Sequence, residues 1–266
     1  LSSPEIQHGE VECLFTVDEE TGLTGAFALK PGFFSGTVLL NLDSEDEGQL
    51  FIGCAGGQDT IARFKLKSKS PKPGYSCYLV QLSGLKGGHS GDEIHKKHAN
   101  AIQLMNRFLW NASAEFQIAV SRFDGGNLRN AIPREAEALI MVPVEHIPSF
   151  ESFFQIFTEI VKKEYKRSEP GLRLILKEST PAGLVLTRKF QQRLMNAIYA
   201  CPHGVIGWSE DFEDLVETST NLASLKFHEN KEVVITTSQR SSVDSAKKDI
   251  SDKVKNVFNL AGAKVS

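Results

Sequence analysis

The chain has 266 residues, of which 41% are hydrophobic and 24% charged, with a formal net charge of −3 at pH 7. That length accommodates one large domain or two ordinary ones with ample material for a core. The near-neutral charge balance leaves no electrostatic footprint for nucleic acid, and no apolar run reaches membrane-spanning length or opens the chain as a signal peptide, so the cytoplasm is the expected compartment. Cys13, Cys54, Cys77 and Cys201 show no CxxC spacing, which argues against a disulfide framework and against a thiolate zinc site. Cys13 and Cys77 read as small core residues.

Alternation over 11–17 predicts a strand that runs into Asp18-Glu19-Glu20, and 37–42 predicts a second strand that runs into Asp43-Ser44-Glu45-Asp46-Glu47. Open α/β sheets place their sites at the carboxyl ends of strands, and adjacent acids repel unless a cation compensates them. A third short strand is expected at 49–53. Beyond it, alternation at 60–69 and 75–82 around Ser70-Pro71-Lys72-Pro73-Gly74 predicts a hairpin. Ile94, Ala101, Ile102, Met105, Phe108 and Leu109 then fall on one helical face. Strands are expected at 116–123 and 136–142 around a loop at 124–133, and again near 215–226 and 231–239. Helices are expected at 149–167, 187–200 and 244–260. The fold class is α/β (α+β): part of a mixed sheet in 1–57, then an antiparallel sheet covered on one face by helices in 58–266. No internal repeat stands out. The Phe150, Phe153, Phe154, Phe157 stripe reads as core, and Lys162, Lys163, Lys166 and Arg167 as a solvated helix face.

Gly84-Leu85-Lys86-Gly87-Gly88-His89-Ser90-Gly91 surrounds one histidine with four glycines, which opens backbone conformations closed to other residues. A helix expected just after it would put His89 near a positive dipole end suited to an oxyanion. His95 and His98 lie one helical turn apart near Glu93, but they lack the HExxH arrangement and read as surface or cap residues rather than metal ligands. His8, His146, His203 and His228 read as structural or exposed.

Five separated motifs then occur in order: Thr16 to Ala26, Asn41 to Glu45, Gly53 to Gly57, Gly84 to Gly91 and Leu128 to Glu135. Together they closely resemble the bacterial aminoacyl-histidine dipeptidases, dinuclear zinc peptidases related to carnosinase, across essentially the whole chain. The resemblance implies that Glu19 is the general base, that Glu20 ligates one zinc and Asp43 the other, and that His89 stabilises the tetrahedral intermediate. Asn130 and Arg240 would hold the substrate's terminal carboxylate. Residues 1–57 would be part of the catalytic domain, and 58–266 a lid that mediates dimerisation and substrate binding.

The implied activity is metal-dependent hydrolysis of short peptides with a free C-terminus, chiefly Xaa-His dipeptides, by a homodimer with two Zn2+ per complete site. Asp92 departs from the pattern, which commonly has a small residue there. The family's upstream His-x-Asp, its bridging aspartate and its C-terminal histidine ligand are absent from these 266 residues. The resemblance therefore implies a segment that is inactive by itself. The alternative is a non-catalytic lid-like module for dimerisation or peptide binding.

Overall fold

The computed structural model describes residues 5–19, 23–43, 48, 53–180, 183–228 and 231–266. It divides into two compact units, 1–53 and 54–266. In the first, the described residues carry a short helix, Thr24–Phe27, among turns and loops. Local bonds hold them: Thr24 Oγ1 donates to Asp18 at 2.8 Å, and the amides of Gly36 and Ser35 donate to Glu12 at 2.8 Å each. Those amides hold the Glu12 carboxyl below its usual range.

The strands expected at 11–17 and 37–42 are not formed, and Phe15, Val17, Val38, Leu39, Leu40 and Leu42 are exposed. Alternation alone does not make a strand. A ladder partner must satisfy its backbone, and no described residue of this unit supplies one. Cys13 is exposed rather than core, whereas Cys77 is buried. Most of the strand expected at 49–53 lies outside the described residues.

The second unit is a large antiparallel sheet with helices. Its strands are β1 (Gly56–Lys65), β2 (Ser68–Lys69), β3 (Tyr75–Ser83), β4 (Ala119–Gly125), β5 (Ala136–Pro143), β6 (Arg173–Glu178), β7 (Val185–Leu186), β8 (Gly204–Trp208), β9 (Val216–His228), β10 (Glu232–Ser241) and β11 (Lys264–Val265). The helices are α1 (Ala101–Phe116), α2 (Ile147–Glu164), α3 (Arg188–Ala200) and α4 (Asp244–Leu260). Across the main sheet the order is β11-β1-β10-β9-β4-β5-β3-β6, with β8 also paired to β9.

The hairpin expected between 60–69 and 75–82 does not exist. β1 pairs with β10 and β11, β3 pairs with β5 and β6, and the two stand in opposite halves of the sheet.

Helix α1 begins where Asn100 Oδ1 accepts the amides of Ile102 and Gln103 at 2.9 and 3.2 Å. It buries Ile102, Met105, Phe108, Leu109, Ala112 and Phe116, a continuous stripe at helical spacing. Ile94 stands outside this helix, in a separate short 3-10 turn. Pro148 starts α2, which lays Phe150, Phe154, Phe157 and Val161 into the same core. Phe108 is the hub there, with ring centroids 5.3 to 6.1 Å from Phe157, Phe154, Phe153 and Phe150. Phe64 joins Phe190 of α3 and Phe258 of α4 edge-on in the other half. One apolar cluster runs through both halves.

Candidate functional site

The connection from β3 to α1 carries His89, and its path depends on glycine. Gly84, Gly87 and Gly88 have φ of +78°, +68° and +128°. A methyl on Gly84 would stand 2.0 Å from the Gly171 carbonyl oxygen, and one on Gly88 2.4 Å from Glu93 Oε2.

Two acids then fix the loop. Buried Glu169 accepts the amides of Lys86 and Ala99, one near each end of the connection, both at 2.8 Å. Glu93 accepts the His89 amide at 3.0 Å and Lys96 at 2.9 Å. Lys96 first, then that amide, holds the Glu93 carboxyl below its ordinary range. His98 Nδ1 donates to the Gly87 carbonyl at 2.5 Å, and His95 lies edge-on to Trp208. The α-helix expected directly after His89 is absent. A turn and the 3-10 segment Ile94–Lys96 intervene, and α1 starts only at Ala101. No helix dipole acts on His89, and its setting is made by hydrogen bonds instead.

The β4–β5 loop lies alongside. His89 bridges to Ala131, the Ser90 amide donates to the Asn130 carbonyl at 2.7 Å, and the Ile132 amide donates to Gly88 at 2.8 Å. Arg240 approaches from β10, where its ladder neighbours are Gly57 and Ser219. A methyl on Gly91 would sit 3.0 Å from Arg240 Nη1, 3.0 Å from His89 Cε1 and 3.2 Å from His89 Nδ1. Guanidinium and imidazole thus converge on one glycine.

Among the described residues, the buried side-chain polar atoms without a hydrogen-bond partner are Asn106 Oδ1 and four atoms of this neighbourhood. Those four are His89 Nδ1, Ser90 Oγ, Asn221 Oδ1 and Arg240 Nε. His89 Nδ1 lies 2.7 Å from Asp92 Oδ2, close enough for an ion pair but not aligned as a hydrogen bond. Buried polar groups are ordinarily paired, so such a concentration marks a place built for a polar ligand.

A cleft of about 780 Å³ opens beside His89 and Asn130, lined among others by Lys86, Asp124, Arg134 and Lys226. Burial raises the Asp124 carboxyl above its usual range, although it accepts the Phe227 amide at 2.8 Å. Arg240 does not line this cleft.

Comparison with known proteins adds a scaffold to this geometry. Residues 80–169 match the M20 peptidase dimerisation domain. Over 264 residues the chain is 37% identical to the cytosol non-specific dipeptidase of Escherichia coli (strain K12), covering 99% of this chain and 54% of that protein. The crystal structure of aminoacylhistidine dipeptidase from Vibrio alginolyticus aligns with a TM-score of 0.85 at 39% identity, over 100% of this chain and 54% of that one. In sequence the chain is similar to the first of these dipeptidases, and in fold to the second. It spans about half the length of the relatives it matches.

Of the residues that this resemblance singles out, His89, Asn130 and Arg240 are brought together in the second unit. Glu19 and Asp43 belong to the first, where both are exposed; Asp43 donates its amide to Asn41 Oδ1 at 2.9 Å. Glu20 lies outside the described residues. Among the described residues no three His, Cys, Asp or Glu side chains cluster as a metal site, and two carboxylates fall short of the three protein ligands of a catalytic zinc. Glu169 and Asn221 were not evident from sequence, because an acid beyond a helix end and a small polar strand residue read as solvated.

Proposed function

We propose that this chain is the substrate-gripping part, together with the acidic edge of the catalytic part, of a metal-dependent dipeptidase. Its substrates are short peptides with a free C-terminus, chiefly Xaa-His dipeptides. In this reading Arg240 and Asn130 receive the terminal carboxylate, since a guanidinium matches a carboxylate in two parallel hydrogen bonds. His89 faces the carbonyl oxygen as charge develops on it, and Glu19 takes the proton of the attacking water. Glu20 and Asp43 would serve as two carboxylate ligands, one for each of a pair of Zn2+ ions, when metal is bound. The other ligands are none of the residues named here. The expected setting is the cytoplasm, and the expected assembly a homodimer.

The observation that carries the reading is the convergence of His89 and Arg240 on Gly91 beside Asn130, each with a buried nitrogen that makes no hydrogen bond. The test is cleavage of Ala-His by zinc-supplied protein in which these residues are joined to the remaining metal ligands. Glu19→Gln should lower kcat by roughly 10²–10⁴-fold and leave Ala-His binding intact. An unchanged kcat would remove Glu19 from the chemistry. Binding without any cleavage by the complete protein would leave the non-catalytic peptide-binding module.

A further inference from the structure

The tip of the β4–β5 loop is a turn at Arg129 and Asn130. Its own closing bond is long, with the Ala131 amide donating to the Leu128 carbonyl at 3.4 Å. A turn closed that loosely leaves the backbone angles of Asn130 to be set from outside. Three successive carbonyls do this, those of Arg129, Asn130 and Ala131, and each accepts from another element. The Asn130 carbonyl accepts the Ser90 amide at 2.7 Å. The carbonyls on either side of it share one side-chain donor. Asn221 Nδ2 donates to Ala131 at 2.8 Å and, more loosely, to Arg129 at 3.4 Å.

Asn221 stands on β9, 1% exposed, opposite Ser238 of β10. Its amide can face the loop in only one sense. Turned over, it would set Oδ1 against two carbonyl oxygens and donate to neither. In the sense that works, Nδ2 serves both carbonyls and Oδ1 is left buried without a partner. A buried acceptor without a donor costs stability. Neighbours on the same strand show what folding alone selects: Leu222 and Leu225 lie in the apolar core, and Thr220 Oγ1 accepts Gln239 Nε2 at 3.2 Å. Asn221 is committed to the loop instead.

Two further bonds reach the loop from other elements. Lys226 donates to Asn127 at 2.7 Å, and Arg129 donates to Asp59 at 3.4 Å. Both join solvent-exposed side chains, take no carbonyl of the tip, and fix geometry weakly. The buried Asn221 amide, by contrast, brackets the one residue of the tip whose side chain is proposed to meet the ligand. Through the Asn130–Ser90 bond its hold extends to the residue after His89.

We infer that Asn221 is a positioning residue: by holding the carbonyls on both sides of Asn130, it sets the direction in which the Asn130 side chain meets the terminal carboxylate of the peptide. It acts through Asn130 and touches no ligand itself. The inference rests on the proposed dipeptidase reading for the nature of that ligand, whereas the clamp on the loop does not.

The experiment has two arms, both built on Asn221→Asp, which keeps the size of the side chain and sets a carboxylate oxygen against the two carbonyls. In the 266-residue chain, hydrogen exchange of the Ser90 amide reports the hold on the loop. It should accelerate at least about tenfold in the variant, the loss of one to two hydrogen bonds' worth of protection, while amides inside β4 and β5 exchange as before. In the complete zinc-supplied protein, Asn221→Asp should raise KM for Ala-His roughly tenfold and leave kcat within about twofold, the mark of weakened binding alone. Placed on Asn130→Ala, the same substitution should add less than about twofold to KM, because its effect passes through the side chain already removed. A Ser90 amide that exchanges as in wild type would overturn the inference. So would a KM indifferent to Asn221→Asp, or one raised as much on Asn130→Ala as on wild type. Amide signals of β9 report whether the variant folds, and Asn221→Ser replaces it in both arms if it does not. If the complete wild-type protein cleaves nothing, the dipeptidase reading fails, and the exchange arm decides the clamp by itself.

Discussion

The large sheet is built of two halves that share a β-α-β-β-α-β topology and differ in what they hold: a contiguous copy from Tyr75 to Glu178, and a split copy made of β1, β9, β10 and β11 with α3 and α4. The contiguous copy has the aromatic hub around Phe108 and a long glycine connection clamped at both ends by Glu169. The split copy has a thinner aromatic triad of Phe64, Phe190 and Phe258 and an arginine whose Nε is buried and unpaired. Duplication relieves each copy of the need to be a complete site: one specialises in a shaped loop, the other in a fixed charge. The seam between them then runs through the proposed site, and its strength is open to measurement.

The largest effect should come from Phe108→Ala. A fully buried Phe cut to Ala costs about 3–5 kcal/mol. Because one core runs through both copies, the loss should be felt in both. Trp110 reports on the contiguous copy and Trp208 on the split one, and urea titrations followed at each residue, with the other replaced by Phe, should give coincident midpoints. Separate midpoints would break the comparison by showing two independently folding lobes.

Glu169→Ala comes next. It leaves the Lys86 and Ala99 amides without their charged acceptor, at about 3 kcal/mol for the two together. Amide hydrogen exchange should accelerate across 84–99 before it does in the split copy, and Glu169→Gln should be milder. Uniform acceleration would deny Glu169 its local role.

A pH effect of similar size is expected at the seam. His203 Nδ1 accepts the Leu222 amide at 3.3 Å and lies 3.5 Å from Asn100 Nδ2, and burial pushes its pKa down to about 4. The residue as a whole is only half-buried by surface area. The unfolded chain takes up this proton near pH 6.5 and the folded chain only near 4, so the unfolded state binds more protons between those values. Stability is therefore fully present above pH 6.5 and falls on acidification towards pH 4, by up to about 3 kcal/mol. Unfolding midpoints measured across that window should flatten in His203→Gln, and an equal slope in wild type and variant would remove His203 as the cause.

The smallest effect belongs to Arg129→Ala, which breaks a 3.4 Å ion pair with Asp59 across the two copies. Both side chains are partly solvated, so the change in stability should stay below about 1 kcal/mol. A larger loss would mean that surface charge, rather than buried bonds, holds the seam.

Local periodicity made the helices legible. Those expected at 149–167, 187–200 and 244–260 appear at Ile147–Glu164, Arg188–Ala200 and Asp244–Leu260. The long strands of the second unit were legible too, unlike the two expected at 11–17 and 37–42, but strand partnership was not. β1 and β3 are neighbours in sequence, yet they pair with segments far away in the chain, 232–241 and 136–143, and alternation says nothing about partners. The two-residue strand β11 carries too few residues for a pattern, and β6 and β8 were not read from the sequence. The duplication escaped sequence reading because what the copies share is connectivity, with no shared run of residues. At the site, His89 and Asn130 fall in motifs that carry the resemblance, whereas Arg240 lies outside all five and was singled out by the resemblance alone. Glu169 was not: a lone acid after a helix looks solvated until the fold places two amides on it.

The most direct measurement is titration of the labelled chain with Ala-His, following the His89 ring and the Arg240 Nε–H signal together. One peptide per chain should move both signals along a single binding curve, and the C-terminal amide of the same dipeptide should bind at least tenfold more weakly, the loss expected for removal of a charge-assisted bidentate contact. Movement of only one signal, or equal binding of the amide, would contradict a carboxylate held where the two copies meet.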